Sequence, residues 1–213
     1  MNKIAGLVAC MFIGSASAAP ILFNNDKVGF DAATSGLTYD DFESVTSNSS
    51  TEVGFGGGTF NCTGGSYCPG FFGISTSFSV SGNQSLYFAT PDSAVFNFNS
   101  AINAFGITMG GQGDVAPIDL FATTSEGDVV QILDDFTGPN VNQPGGFEYF
   151  FGLFDAGSTF TSVTISASNS GDGIFFDDLY YGATTSNVPE PGSLALIGLG
   201  LAGIGFTRKK KSA

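Results

Sequence analysis

Hydrophobic and polar residues alternate along the middle of the chain, in short runs rich in aromatic and β-branched residues. An alternation with a period of two turns one face of a strand toward a core and the other toward solvent. Gly, Asn, Asp and Pro separate the runs at intervals of roughly ten residues, which is typical of β-sandwiches. The pattern predicts strands at residues 71–80, 84–89, 94–98, 101–109, 118–123, 129–133, 148–154, 162–167 and 173–181.

No helical period persists beyond a turn or two, so we predict an all-β chain folded as an antiparallel sandwich. Only Phe12 and Phe206 lie outside residues 19–187, which leaves 21 of the 23 phenylalanines to fill the space between two sheets. Residues 44–66, rich in Ser, Gly, Thr and Asn, are expected to form a long irregular loop. Residues 182–187 are expected to be a linker.

The first 18 residues have the composition of a secretory signal peptide. Lys3 supplies positive charge, residues 4–14 are apolar, and Ala16-Ser17-Ala18 is a cleavage site for signal peptidase. Cys10 sits as in a lipoprotein signal, but the apolar run before it is too short. We therefore assign Cys10 to the discarded signal peptide.

The C-terminal residues 188–213 carry three signals in order. Pro189-Glu190-Pro191 stays extended because proline fixes φ and removes backbone donors. Residues 194–206 are uncharged, and as a helix they would be about 20 Å long, against about 30 Å of hydrocarbon in a bilayer. A basic group favours the cytoplasmic side of the membrane, which places the preceding domain outside; it consists of Arg208, Lys209, Lys210 and Lys211.

This tail resembles the PEP-CTERM sorting signal of Gram-negative bacteria, in the run Val188 to Pro191, the Gly-rich apolar segment and the Arg/Lys end. The resemblance implies that a membrane-embedded exosortase recognises Pro189, Glu190 and Pro191 and processes the tail during export. The protein would then be anchored transiently in the membrane and delivered to the cell surface or extracellular matrix. An ordinary tail anchor is the alternative. The chain thus divides into a signal peptide (1–18), a sandwich domain (19–187) and a sorting signal (188–213).

Charge is distributed very unevenly once both ends are set aside. Five of the six Lys and Arg residues and one of the 19 acidic residues lie in the ends, which leaves one cation, Lys27, and 18 acids in residues 19–187. Such an acidic domain does not bind nucleic acid. Its carboxylates cannot be neutralised by internal salt bridges, so they must be exposed, hydrogen-bonded, protonated or bound to metal.

Catalytic residue types are scarce in the sandwich domain. The chain has no His, which excludes Ser-His and Cys-His pairs, and the single Lys leaves little room for a Ser-Lys pair. Gly198 to Gly203 spells G-x-G-x-x-G, but it lies in the tail without a preceding strand. A two-carboxylate glycosidase is compatible with the residue types, although so many acids produce such pairs by chance. We predict a protein that is not an enzyme.

Cys62 and Cys68 are the two cysteines of the sandwich domain. In an exported protein this pair predicts a disulfide that closes a small loop, with Gly64-Gly65 allowing the turn. A two-cysteine metal site would need further ligands, and His is absent. Tyr67, inside the loop, is the most plausible exposed aromatic side chain for contact with a ligand.

Acidic residues mark both ends of the sandwich domain. Asp40-Asp41-Phe42-Glu43 lies near its start, and Asp177-Asp178 interrupts the apolar last strand. Because adjacent strand residues point to opposite faces, one aspartate is expected to point toward an apolar face. It would need a Ca²⁺ ion or several backbone N–H donors.

At these residues the sequence resembles the jelly-roll carbohydrate-binding modules and the galactose-binding-like fold. These often begin with Phe-Glu and close with a Phe-x-Ile-Asp-Asp-Val-like strand, and the two ends meet at a structural calcium. Phe42-Glu43 and Asp177-Asp178 occupy those places, with Phe176 where the family usually has an aliphatic residue. The resemblance implies a jelly-roll-like sandwich with calcium held by Glu43, Asp177 and Asp178. Solvated strand ends are the alternative.

Two classes of function remain. The first is a structural or adhesive protein of the cell surface or extracellular matrix, and the second is a carbohydrate-binding module acting on extracellular polysaccharide. The absence of Trp makes the second hypothesis less favoured, since such modules usually stack sugars on Trp or Tyr. An exposed aromatic row or groove on the sandwich would favour binding, and its absence would favour a structural role.

The sorting hypothesis makes a direct prediction for Glu190. If an exosortase recognises Pro189-Glu190-Pro191, Glu190→Ala should leave full-length precursor in the membrane, which immunoblotting of cell fractions would detect. Normal processing of this variant would contradict the sorting hypothesis.

Overall fold

The computed structural model describes residues 19–46, 52–68, 70, 72–76, 78–111, 117–137, 148–168 and 171–184. The predicted signal peptide, the sorting tail with its apolar helix and basic group, and residues 185–187 of the linker lie outside the described residues. Within the described ranges, no helix is long and apolar enough to cross a membrane.

The described residues form short strands and one helix. In chain order these are β1 (Ile21–Asn24), α1 (Lys27–Ala33), β2 (Thr38–Asp40), β3 (Glu52–Phe55), β4 (Gly58–Thr63), β5 (Phe72–Ser75), β6 (Ser85–Ala89), β7 (Ser93–Ile102), β8 (Ala104–Gly110), β9 (Ile118–Thr124), β10 (Val129–Phe136), β11 (Glu148–Phe154), β12 (Phe160–Ala167) and β13 (Gly173–Gly182).

The strands pair antiparallel throughout and build two sheets. Sheet A has the spatial order β1-β11-β8-β13-β6-β5, and β2 also pairs with β13. Sheet B has the order β10-β9-β12-β7-β4-β3. The all-β antiparallel sandwich expected from the alternation is confirmed.

Phenylalanine fills the space between the sheets, as the sequence predicts. The Phe96 ring of sheet B packs against Phe60 at 4.8 Å, Phe176 at 5.3 Å and Phe105 at 5.5 Å between ring centroids. All four side chains are fully buried. Phe105 and Phe176 come from sheet A, so this cluster joins the two layers, and each aromatic pair adds about 0.5–1.5 kcal/mol beyond its buried area.

The prediction of a long irregular loop over residues 44–66 is wrong. β3 and β4 form a hairpin there, joined by Gly56-Gly57, and they bury Val53, Phe55 and Phe60 in the core. Their other positions hold Glu, Gly, Thr and Asn. These residues gave the segment a loop-like composition and concealed the alternation.

The remaining differences concern short elements and strand ends. β1, α1 and β2 contain 4, 7 and 3 residues, which is too short to show a period. The strand expected at 71–80 ends at Ser75, and residues 78–84 leave the sheet as what we call the covering segment. The strand expected at 101–109 is interrupted between Ile102 and Ala104.

Two elements cover the outer face of sheet A, the face turned away from sheet B. α1 lies over β8 and β11, where Gly106 and Gly152 make room for the Phe30 ring, because a Cβ at either glycine would lie within 2.8 Å of it. The covering segment lies over the other part, with the Phe78 ring against Gly110 and 5.1 Å from that of Phe175. A gap remains between the two covers.

Candidate functional site

A cleft of about 470 Å³ occupies the gap between α1 and the covering segment. Its floor comes from β8, β11 and β13, and its walls come from the start of α1 and from the covering segment. Concave sites with apolar walls and a few polar groups are the usual form of ligand sites. The lining residues are Asn25, Lys27, Val80, Thr108, Glu148, Phe150, Asp178 and Tyr180.

Two tyrosine rings in tilted contact lie beside the cleft, at an interplanar angle of 38°. The Tyr39 ring of β2 lies 5.0 Å from the Tyr180 ring of β13, and 48% of Tyr39 is exposed to solvent. The Tyr39 hydroxyl donates a hydrogen bond of 2.6 Å to Asp178 Oδ1. Burial and this bond to a carboxylate raise the pKa of Tyr39 to about 12, so the hydroxyl stays protonated and remains a donor to Asp178.

Lys27, the one cation of the sandwich domain, projects over two aromatic rings on the floor of the cleft, those of Tyr180 and Phe150. Its Nζ lies 3.9 Å from the centroid of the Tyr180 ring and 5.7 Å from that of Phe150. It also forms an ion pair of 2.6 Å with Asp31, one turn along α1. The ammonium therefore binds an aromatic face and a carboxylate together, which orients a donor at the rim of the cleft.

A β-bulge in β13 places both aspartates of the Asp177-Asp178 pair at the outer face. The pairing with β8 shifts register between Asp177 and Tyr180, and Asp178 adopts a positive φ of 49°. Phe176 and Leu179 consequently both face the core, although three positions separate them. Because a bulge breaks the alternation of a regular strand, neither aspartate faces the core. Asp177 is nevertheless buried under the covering segment, and several backbone N–H donors satisfy it, which is one of the two arrangements expected from the sequence.

Asp177 fastens the covering segment to sheet A. Its carboxylate accepts hydrogen bonds from the backbone N–H groups of Val80 at 2.7 Å, Ser81 at 2.9 Å and Asp178 at 2.8 Å. The residue is 1% exposed. Burial raises the pKa of this carboxyl to about 6, against the opposing effect of the three donors.

Glu43 fastens the other end of the covering segment. Its Oε1 accepts backbone N–H bonds from Asn83 at 2.6 Å and Gln84 at 2.8 Å. These donors lower the pKa of the Glu43 carboxyl. The two ends of the sandwich domain therefore both bind one segment, through Glu43 at one end and Asp177 at the other.

Of the three predicted calcium ligands, Glu43 and Asp177 accept hydrogen bonds from backbone N–H groups, whereas Asp178 accepts from the hydroxyls of Tyr39 and Ser81. Among the residues described, one set of three acidic or cysteine side chains has ligand atoms within 4.8 Å of one another, namely Cys62, Cys68 and Asp92. Glu43, Asp177 and Asp178 do not form such a set. Calcium binding by these three residues stays a prediction.

The predicted disulfide between Cys62 and Cys68 is confirmed. Its loop wraps around the carboxylate of Asp92, which is 4% exposed. Four consecutive backbone N–H groups donate to that carboxylate, those of Gly65, Ser66, Tyr67 and Cys68. Burial disfavours the charge, but the four donors outweigh it and lower the pKa of Asp92. The loop encloses its own anion.

Sequence reasoning missed the cleft, although it singled out Asp178. Tyr67, the predicted ligand contact, is half-buried in the disulfide loop and does not line the cleft. The missed residues come from strands, α1 and the covering segment that are distant in the sequence, and they meet only through tertiary contacts such as the pairing of Thr108 with Phe150. Lys27 alone carried a signal, as the one cation of an acidic domain.

Comparisons with known proteins agree with the interpretation of the tail. The model of the PEP-CTERM protein-sorting motif matches residues 187–210. The chain carries a PEP-CTERM sorting motif. This motif indicates export through the corresponding sorting system. No curated protein shows a significant match to the chain.

Several solved carbohydrate-binding modules are distantly similar to the sandwich. The CBM22-1 xylan-binding domain of Paenibacillus barcinonensis Xyn10C has 13% identity and a TM-score of 0.41, covering 72% of this chain and 97% of that domain. The C-terminal family 22 module of Clostridium thermocellum Xyn10B has 11% identity and a TM-score of 0.38, covering 71% and 96%. Because these identities and TM-scores are low, the fold is assigned from the strand pairing and not from the similarity to these modules.

The raised pKa of Asp177 predicts a pH-dependent effect of Asp177→Asn. A carboxyl whose pKa rises on folding stabilises the fold fully below its ordinary pKa of 3.8, and this contribution is lost as the pH rises through about 6. Asparagine does not ionise. Between about pH 4 and about pH 7, the free energy of unfolding of the variant relative to wild type should therefore rise by about 2 kcal/mol.

Urea unfolding at a series of pH values measures this difference. Asp134→Asn, at an exposed position of β10, controls for the loss of one negative charge. A difference between Asp177→Asn and wild type that does not change with pH would contradict the assigned environment of Asp177.

Proposed function

We propose that the protein is exported through an exosortase-type system and that its sandwich binds extracellular polysaccharide in the cleft of sheet A. The observation that carries this proposal is the cleft itself, in which the rings of Phe150 and Tyr180 lie beside hydrogen-bonding side chains. The sequence left binding and purely structural roles open, and a groove was the feature that would separate them. The cleft therefore favours binding.

The chemistry of the lining suits a sugar chain. Glu148 and Asp178 offer carboxylate acceptors for hydroxyl groups, and Asn25 and Thr108 offer both donors and acceptors. The ring of Tyr180 lies under the Lys27 ammonium, at 3.9 Å from its centroid, and this ammonium is a further donor for hydroxyl groups. The site would therefore orient a ligand mainly through polar contacts.

The cleft walls are held rigidly before any ligand arrives. Asp177 and Glu43 hold the covering segment through four hydrogen bonds from its backbone N–H groups. The Tyr39 hydroxyl and the Ser81 hydroxyl both donate to Asp178 Oδ1, at 2.6 and 2.8 Å. A preformed site loses less conformational entropy on binding than a mobile one.

The proposed role is binding without turnover. Once the sorting system has delivered the protein, binding to polysaccharide would attach it to the cell surface or matrix. This is the structural or adhesive role expected from the sequence. Export also places the cleft where such polymers are found. The exosortase, signal peptidase and an extracellular polysaccharide are then its partners.

Filling the cleft should abolish binding. Thr108 lies on the floor between Phe150 and Asp177 in the neighbouring strands, so Thr108→Phe puts a ring where the ligand would lie without touching the core. Isothermal titration with soluble β-linked gluco-, xylo- and mannohexaose should show binding by wild type and at least a tenfold loss in the variant.

Thr161→Phe, the same change at an exposed position of β12, is the matched control and should bind as wild type does. Chromatography of the titrated sugars should show intact hexasaccharide. Binding unchanged in Thr108→Phe, or wild type that binds none of the three sugars, would contradict the proposal. Shortened sugars would indicate an enzyme instead.

A further inference from the structure

The charges that line the cleft of sheet A do not balance. The lining includes two acidic side chains, Glu148 at the start of β11 and Asp178 at the bulge of β13, and one cation, Lys27. Both carboxylate oxygens of Asp31 accept hydrogen bonds from Lys27 Nζ, at 2.6 and 2.7 Å. The charge of Lys27 is therefore balanced within α1, and the two carboxylates of the cleft are left without a counter-charge.

Neutral partners leave the negative charge of the cleft in place. Asp178 Oδ1 accepts from the hydroxyls of Tyr39 at 2.6 Å and Ser81 at 2.8 Å. These hydroxyls orient the carboxylate but do not cancel its charge. The Glu148 side chain is exposed, and within the described part of the chain the pair of Lys27 with Asp31 is the one salt bridge. The cleft thus presents one oriented carboxylate and one exposed carboxylate to a ligand.

An ammonium group already lies over the floor of this cleft, and it belongs to the chain itself. Lys27 Nζ is 3.9 Å from the centroid of the Tyr180 ring and 5.7 Å from that of Phe150. The faces of aromatic rings carry partial negative charge and attract cations. Burial raises the pKa of the Tyr180 hydroxyl, Lys27 opposes this rise, and the negative charges of Asp178 and Asp31 add to it. Rings and carboxylates together make this floor an environment that suits ammonium groups.

The charge of the whole domain acts in the same direction as the charge of the cleft. Residues 19–187 contain 18 acids and one Lys, so the surrounding potential attracts cations and repels anions. Sugar chains that carry carboxylate or sulfate groups are therefore disfavoured in the cleft.

The remaining choice is between a neutral sugar chain and a cationic one. A neutral chain offers hydroxyl donors to the two carboxylates of the cleft. A chain with protonated amino groups offers N–H donors that carry charge, and hydrogen bonds between charged groups are about twice as strong as those between neutral groups. The unpaired carboxylates therefore favour the cationic chain.

We propose that the cleft prefers a polysaccharide whose sugars carry free, protonated amino groups, and that Glu148 and Asp178 bind those ammonium groups. This inference rests on the proposed function, because it names the ligand class of the same cleft. An amino group takes the place of one hydroxyl on a sugar ring of the same size, so the preference depends on charge and not on shape. Because Glu148 is exposed, the preference should weaken as salt is added.

Isothermal titration with three β-1,4-linked hexasaccharides measures this preference, using the hexamers of glucosamine, N-acetylglucosamine and glucose. At low salt and mildly acidic pH, where the amines are protonated, wild type should bind the glucosamine hexamer at least about tenfold more tightly than either neutral hexamer. High salt should reduce this ratio. Acetylation removes the charge but keeps the nitrogen, and the glucose hexamer controls for the bulk of the acetyl group.

Charge changes at Glu148 test whether the preference arises in the cleft. Glu148→Lys should lower the ratio of the glucosamine and glucose affinities at least about fivefold, and Glu148→Gln should lower it about threefold. Glu126→Lys, the same reversal in the exposed turn between β9 and β10, is the matched control and should keep the wild-type ratio. Circular dichroism verifies that each variant is folded.

Failure of this inference and failure of the proposed function give different results. Equal affinities for the glucosamine and glucose hexamers, or a ratio that Glu148→Lys leaves unchanged, would overturn the inference and leave polysaccharide binding in the cleft intact. Glucosamine binding that Thr108→Phe does not reduce would place the attraction elsewhere on the acidic domain and would also overturn it. So would a hexalysine peptide that binds as tightly as the glucosamine hexamer, because the cleft would then recognise charge without sugar. Wild type that binds none of the hexamers would contradict the proposed function itself.

Discussion

In this domain the hydrogen-bond partners of the buried and loop carboxylates are backbone N–H groups instead of cationic side chains. The rest of the structure depends on this use of backbone donors. A chain with 18 acids and one Lys in its sandwich cannot pair most of its carboxylates with cationic side chains. It turns its loops toward them instead, as at Asp92, Glu43 and Asp177, where two to four N–H groups converge on one carboxylate.

The use of backbone donors for carboxylates also determines how the candidate site is built. Glu43 and Asp177 hold the covering segment on sheet A, and that segment forms one wall of the cleft. Lys27, at the start of α1 in the opposite wall, lies over the ring of Tyr180. Glu43 and Asp177, which look like calcium ligands in the sequence, thus hold one wall of the cleft in place through backbone N–H groups.

The sequence predicted the sandwich because its alternation is regular wherever the strands face a Phe-rich core. It predicted the disulfide because two cysteines in an exported chain have few other uses. It failed at residues 52–63, where polar outward positions disguised a hairpin, and at Asp177-Asp178, where a bulge broke the period of two. The cleft was out of reach because Thr108, Phe150 and Tyr180 meet through long-range pairing, which periodicity does not encode.

The most direct test of backbone N–H groups as the partners of these carboxylates is a carboxyl ¹³C NMR titration of the Asp and Glu side chains. Backbone donors are expected to hold the pKa of Asp92 and Glu43 below their ordinary values, while burial holds the pKa of Asp177 at about 6. Ordinary pKa values at all three residues would mean that these carboxylates are solvated. That result would contradict the role of backbone N–H groups as their partners, in the loops and in the cleft wall alike.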